Sequence, residues 1–344
     1  ISRPRLARDM DGAKVITLSE DFAPDFSVSS TGLPSLDEYG RFQQHLILLE
    51  DYGRITGFKA AIESIPVGDV AIDVGAGTGV LGLLALAHGF RRAILVEPSR
   101  KMASYARHLA RINGFDERIT IIQARLEDVD FDSLPTTLDL IVSETLSSML
   151  FGFGSWDVLP RLAERVRDRQ NIIPNQGRLL IAPVAKSMAS RGPDTDGLAI
   201  LREAGLSIDL FDRTFRSGGN VYDKEIVARL LATGEVHSAE LASFDFQNAS
   251  PISTERGAVF RPPEGGAVGA LLFWDIQLSP CAPSVRFTNL DPRITSWYPY
   301  YIGFTRRIES EVNVNLRLIP CDAPYTYAFQ LLADGEPVTH VLYW

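Results

Sequence analysis

Val70-Ala-Ile-Asp73-Val-Gly75-Ala-Gly77-Thr-Gly79-Val80 is the stretch that decides how this chain folds. Its first five residues are apolar apart from Asp73 and rich in β-branched side chains, as expected of a strand buried on both faces. Glycines at 75, 77 and 79 then permit a tight turn in which the backbone can approach a ligand closely. Residues 80–87 follow with helical length and spacing, and Gly89 stands where a helix C-cap belongs. A strand, a glycine turn and a helix in that order make a ligand-binding crossover of a doubly wound sheet. A dinucleotide fingerprint would place its third glycine at position 80, which is Val80, so pyrophosphate binding is disfavoured.

Working outward, short apolar runs at 70–74, 93–96, 119–123, 138–142 and 179–181 alternate with helical patterns at 80–87, 102–113 and 156–169. This predicts an α/β, Rossmann-like parallel sheet of the seven-strand kind. Before it, residues 36–66 carry Leu46, Leu48, Leu49, Ile55, Phe58 and Ile62 at helical spacing, which predicts one or two amphipathic helices. After Pro183 the texture turns to alternating β-branched and aromatic residues at 225–231, 267–278, 312–319, 325–332 and 338–344, predicting an antiparallel β-barrel-like domain. The expected division is therefore an N-terminal arm at 1–35, a helical cover and ligand-binding domain at 36–183, and a β-rich domain at 184–344, joined near 182–186.

The acids at the strand ends identify the ligand. Asp73 would repel pyrophosphate but tolerate a cation. Glu97 lies about twenty residues beyond the glycine turn, where an acid accepts hydrogen bonds from both ribose hydroxyls. Glu127 follows the third apolar run, placed to accept from an adenine amino group while backbone near Leu126 meets the ring; Glu127 and Asp128 also fit solvated loop acids. Together with Gly75, Gly77 and Gly79 these residues predict S-adenosyl-L-methionine (SAM) as cofactor and S-adenosyl-L-homocysteine (SAH) as product. Glu144, at the end of the fourth run, is the candidate catalytic residue, because ligand crevices form at the carboxyl ends of the strands. A carboxylate capping the following turn is its bland alternative.

Bulk properties narrow the classes. The chain has 344 residues, 45% of them hydrophobic, enough for two cores, and a formal charge of -9. That charge gives no general attraction for nucleic acid or anionic lipid. Cys281 and Cys321 are the only cysteines, which fits a reducing, cytoplasmic setting. The five histidines lack metal-ligand spacing, so metal chemistry is not expected. The longest apolar stretch, 80–87, is far short of a membrane span, and no charged-then-apolar signal segment opens the sequence as given.

The string Tyr39…His45…Leu49-Glu-Asp51-Tyr-Gly-Arg54…Phe58-Lys-Ala-Ala-Ile62, the glycine turn, the strand end Leu140-Ile-Val-Ser143-Glu144 and Thr295-Ser296-Trp297 resembles the protein arginine methyltransferases from about residue 36 onward. By that resemblance Arg54 pairs with the SAM carboxylate, and His45 lines the same pocket. Taken alone, the two would be a surface charge and a helix histidine. The resemblance also implies that Tyr39, Asp51, Phe153 and Trp297 surround the acceptor, and that residues 187–215 form a homodimerisation arm.

Two departures stand out. The second glutamate of the family's double-glutamate loop is Phe153 here, and the histidine of its Thr-His-Trp loop is Ser296, which leaves Asp51 without its expected histidine. Asp157, four residues on, is a replacement acid only if the loop is remodelled, and otherwise favours a helix N-terminus. Two carboxylates grip a guanidinium through paired, charge-assisted bonds, and one carboxylate beside an apolar wall does not. The expected function is therefore SAM-dependent methyl transfer to a nitrogen or oxygen of a small-molecule acceptor. The alternatives are guanidino methylation of arginine in protein, peptide or free form, and a non-catalytic SAM-binding scaffold.

Overall fold

The computed structural model describes residues 6–8, 14–16, 42–146, 150, 155–185, 220–221, 224–245, 250–253, 257–320, 327–339 and 342–343. Tyr39, Phe153 and the expected arm at 187–215 lie outside the described residues, as does the side chain of Asp157. Within the 1–35 segment, β1 (Leu6–Arg8) and β2 (Lys14–Ile16) pair antiparallel.

Helices α1 (Phe42–Glu50) and α2 (Tyr52–Glu63) precede the sheet, as their spacing predicts. The parallel sheet contains β3 (Val70–Val74), β4 (Arg92–Val96), β5 (Ile119–Ile122), β6 (Leu140–Ser143) and β7 (Ile172–Ile173) in the spatial order β5-β4-β3-β6-β7. Its crossover helices are α3 (Val80–His88) and α4 (Arg100–Ile112). The chain builds outward from β3 to β5, then returns to add β6 on the other side of β3. That reversal opens a crevice at the carboxyl ends of β3 and β6, between the glycine turn and Glu144.

Among the described residues the sheet has five strands, where the seven-strand kind is expected, and residues 179–181 are not among them. They lie inside β8 (Gln176–Ala185), which pairs antiparallel with β10 (Ala239–Asp245) on one side and β13 (Ala267–Gln277) on the other. The pairing thus changes from parallel to antiparallel between Ile173 and Gln176, ahead of the 182–186 stretch. A central antiparallel strand covered on both faces has the same continuous apolar texture as a parallel one, which explains the misreading. The covering element is α6 (Lys224–Ala232), where the sequence pattern predicts a strand at 225–231. Its Val227 and Leu230, one helical turn apart, pack with Ala182, Val184, Leu271 and Phe273 on the outer face of β8 and β13. The helix expected at 156–169 is shorter: α5 (Ser155–Ala163) ends where Val166 bridges Leu138 at the sheet.

The β-rich domain has a second sheet in the order β12-β16-β17-β18, built from β12 (Ala258–Phe260), β16 (Val312–Pro320), β17 (Tyr327–Ala333) and β18 (Glu336–Pro337). The strand expected at 338–344 is shorter, Leu342–Tyr343, and pairs with β17. The sheet of β8, β10 and β13 also takes in β9 (Asn220–Val221), β11 (Ser250–Ser253), β14 (Arg286–Thr288) and β15 (Tyr300–Ile308), and the two antiparallel sheets surround the barrel-like core. This core is continuous with that of the parallel sheet: Phe58 of α2 packs edge-on to Phe287 at 5.3 Å, and a Cβ at Gly57 would lie 2.1 Å from the Phe287 ring. Helix α2 is therefore held directly against the β-rich domain.

Candidate functional site

The glycine turn has the geometry that its composition demands. Gly75, Gly77 and Gly79 have φ of 70°, 54° and 80°, in the left-handed region where a Cβ is strained. The amides of Gly75 and Ala76 both donate to the Val96 carbonyl, at 2.9 and 3.0 Å, tying the turn to β4. A Cβ at Gly77 would come within 2.6 Å of the His45 ring, so His45 of α1 lies over the turn.

Three buried acids converge around this turn. Asp73 accepts the Gly82 amide at 2.8 Å through one carboxylate oxygen, which anchors the first turn of α3. Its other oxygen is buried with no hydrogen-bond partner among the described residues. Burial pushes the Asp73 carboxyl up to about 7, against the Gly82 bond, which lowers it; the neighbouring charge of Glu97 adds to the rise. Glu97 accepts the Gly77 and Ser99 amides, each at 2.7 Å, so the ribose-binding candidate also clamps the turn to the start of α4. Its carboxyl is likewise raised by burial, while those two bonds oppose the shift. Leu126 is buried in the short helical turn 126–128, and Glu127 beside it is half-buried.

Glu144 follows β6 and forms a buried ion pair with Arg54 of α2. Arg54 donates Nε and Nη2 to one oxygen, Oε2, and Nη1 to the Leu48 carbonyl at 3.0 Å. The guanidinium has five N–H bonds, so after these three it retains donors for a ligand carboxylate. Oε1 of Glu144 accepts only a long 3.4 Å bond from Leu146 among the described residues. Burial is the main influence on Glu144 and raises its carboxyl, with Arg54 acting against it.

Asp51 is not left idle by the missing histidine. It is fully buried, caps α2 by accepting the Arg54 amide at 2.9 Å, and accepts the Thr295 and Ser296 amides at 2.8 Å each. The position that would carry the histidine thus supplies a main-chain donor instead. Gly53 adds a bond from its amide to the Arg293 carbonyl. Trp297, expected as an open wall of the acceptor pocket, is instead packed: its ring lies 5.5 Å from Trp274 and 6.4 Å from Phe287, with the Arg54 Cζ at 6.0 Å. It supports the guanidinium from behind. Ser296 Oγ is buried and unpartnered among the described residues. Sequence reasoning missed Lys224, which holds this same loop, because its segment read as a strand and no motif marks it.

These residues fit SAM. The left-handed turn leaves no room for side chains, an acid stands at the ribose position, and of the acids around the turn only Glu144 is paired with the Arg54 guanidinium, which leaves Glu97 and, when ionised, Asp73 to face a sulfonium cation.

Known proteins resemble this chain in part of its sequence and in its fold. Residues 71–168 match the family described as a methyltransferase domain. Histone-arginine methyltransferases CARMER from Drosophila ananassae and Drosophila grimshawi are each 30% identical over 148 residues, 42% of this chain. The chain spans about a quarter of the length of these curated relatives, 27% and 26%. Among solved structures, Arabidopsis thaliana protein arginine methyltransferase 10 matches with a TM-score of 0.61 at 18% identity, over 89% of this chain and 98% of that one. The Trypanosoma brucei PRMT1 enzyme-prozyme complex with AdoHcy matches with a TM-score of 0.63 at 18% identity, over 90% and 98%.

Proposed function

We propose that this chain, a SAM-dependent methyltransferase resembling the protein arginine methyltransferases, methylates a nitrogen or oxygen of a small, partly apolar acceptor. SAM, when bound, supplies a methyl group on an activated sulfonium leaving group. The protein's task is to align the acceptor and exclude water. Gly75, Gly77, Gly79, Glu97, Leu126 and Glu127 hold the cofactor. Arg54 fixes Glu144 through Oε2, and Oε1 accepts the acceptor's N–H or O–H and takes its proton as the new bond forms.

One observation carries the acceptor class. The position of the family's second glutamate is Phe153 here, and Asp51, the other acid expected around the acceptor, already accepts three amides, so Glu144 is left as a single anchor. A guanidinium gripped by one carboxylate in place of two loses a charge-assisted bond of about 1.5–3 kcal/mol, roughly ten- to a hundredfold in binding.

Initial rates on arginine-rich peptides, free arginine and a panel of small amines, phenols and hydroxylated metabolites test this, for the native protein and Phe153→Glu. Small acceptors should be preferred, and Phe153→Glu should shift the preference toward arginine. Efficient arginine methylation by the native protein, lost in Glu144→Gln and unimproved by Phe153→Glu, supports instead the arginine reading. The charge of -9 favours that second reading, since it attracts cationic peptides.

The resemblance also supports a homodimer formed through residues 187–215. Light scattering at micromolar protein that finds only a 37.9 kDa particle removes that idea. Two cysteines, with Cys281 free and exposed, support a reducing, cytoplasmic setting.

A further inference from the structure

Lys224 opens α6 with its side chain buried, and no carboxylate lies within ion-pair distance of it among the described residues. Its Nζ donates to the carbonyls of Asp291, at 3.2 Å, and Ile294, and lies 4.8 Å from the centre of the Tyr298 ring. On the other side of the same loop, the buried Asp51 carboxylate accepts the amides of Thr295 and Ser296. The Ile294 carbonyl and the Thr295 amide are the two ends of one peptide group. That peptide is therefore strung between a buried ammonium on its oxygen and a buried carboxylate on its N–H, with its dipole aligned to both. Hydrogen bonds in such a chain polarise one another, and a low dielectric strengthens each.

We propose that Lys224 and Asp51 act as one device through the Ile294–Thr295 peptide, as positioning residues that fix the 291–297 loop for the methyl transfer proposed above. Neither charge has a direct counter-ion within ion-pair distance among the described residues, yet each balances the other through the backbone between them. Lys224 comes from α6 on the outer face of the β-rich sheet, and Asp51 from the start of α2. The loop they hold carries Trp297 against Arg54, and Arg54 holds Glu144. The glycine turn and Glu97 stand on other elements, so of the groups expected to hold the cofactor only Arg54 touches the device, through the Asp51 carboxylate and the Trp297 ring. The inference rests on the methyltransferase reading only for its catalytic consequence, since the electrostatic coupling is a property of the folded chain.

The test compares the native protein with Lys224→Met, Lys224→Arg, Asp51→Asn and the Lys224→Met/Asp51→Asn double variant. The edge-on Trp274–Trp297 pair provides a near-ultraviolet circular dichroism signature. Lys224→Met and Asp51→Asn should diminish the same band, the double variant should lose no more than the larger single loss, and Lys224→Arg should restore it. SAH affinity by calorimetry should stay within about threefold in the Lys224 variants, whose side chain touches none of the groups expected to hold the cofactor. With an acceptor that the native enzyme turns over, Lys224→Met should lower kcat about tenfold or more while KM for SAM moves less than about threefold.

Should Lys224→Met fail to fold, Lys224→Gln, which keeps a donor but removes the charge, takes its place and should lose the band as well. A native-like band in Lys224→Met or Lys224→Gln, or losses in the single variants that simply add in the double, overturns the proposal. Failure of the native protein to bind SAH overturns the methyltransferase reading and leaves the band comparison to decide the coupling.

Discussion

Asp73→Asn isolates the energetic consequence of burying an acid whose second oxygen has no partner. The native carboxyl is 1% exposed, and its affinity for a proton is raised from the ordinary value of 3.8 to about 7. At 1.36 kcal/mol for each tenfold change in proton affinity, this corresponds to about 4 kcal/mol between the protonated and ionised forms. The folded protein holds this proton more tightly than the unfolded chain does. Its contribution to stability is therefore fully present below about pH 4, is lost as pH climbs to about 7, and is constant above that.

Asparagine keeps the shape and the acceptor for the Gly82 amide, and like the protonated acid it never ionises. Urea unfolding of ligand-free protein should therefore give similar stabilities for the native chain and Asp73→Asn at about pH 4 and below, and the two should diverge as pH rises from there. At pH 8 the variant should be the more stable, by up to about 4 kcal/mol. The ionised acid has a use once a cation binds. SAM carries a sulfonium and SAH does not, so the ratio of SAM to SAH affinity should rise with pH between 5 and 8 in the native protein and much less in the variant. Calorimetry at several pH values reads both affinities. Parallel stability profiles for the two proteins, or an unchanged pH dependence of that ratio in Asp73→Asn, would refute the argument.

The other expectations are simpler. Glu97→Ala strands the Gly77 and Ser99 amides and removes the proposed ribose acceptor, so SAH affinity measured by calorimetry should fall by about 1.5–3 kcal/mol, some ten- to a hundredfold. Gly77→Ala places a Cβ against His45 at a φ of 54°, and thermal unfolding should show a loss of about 1–2 kcal/mol together with weaker cofactor binding. Glu144→Gln should reduce the methylation rate a hundredfold or more while SAH affinity changes by less than about tenfold, a split that single-turnover assays and calorimetry resolve.

The sequence by itself determined the part of this protein in which function depends on local backbone. Gly75, Gly77 and Gly79 are legible because only glycine suits the left-handed turn that they occupy, and Glu97 is legible because a βαβ unit fixes its distance from that turn. The parallel strands 70–74 and 93–96 were readable for the same reason: their pattern and their partners lie close together in the chain.

What only the tertiary structure decided are the pairings between distant segments. Residues 179–181 and 225–231 were misassigned because apolar texture records burial but not what does the burying. A strand covered by α6 reads like a strand of a parallel sheet, and α6 itself offers β-branched residues that suit either state. Asp51 and Lys224 show the limit most clearly. One is written beside an arginine helix and the other more than 170 residues later, and each is satisfied by backbone groups of a loop near residue 294. Every residue carries a main-chain acceptor and every residue other than proline a main-chain donor, and neither leaves a mark in the sequence, so a site assembled through the backbone becomes visible only once the chain has folded.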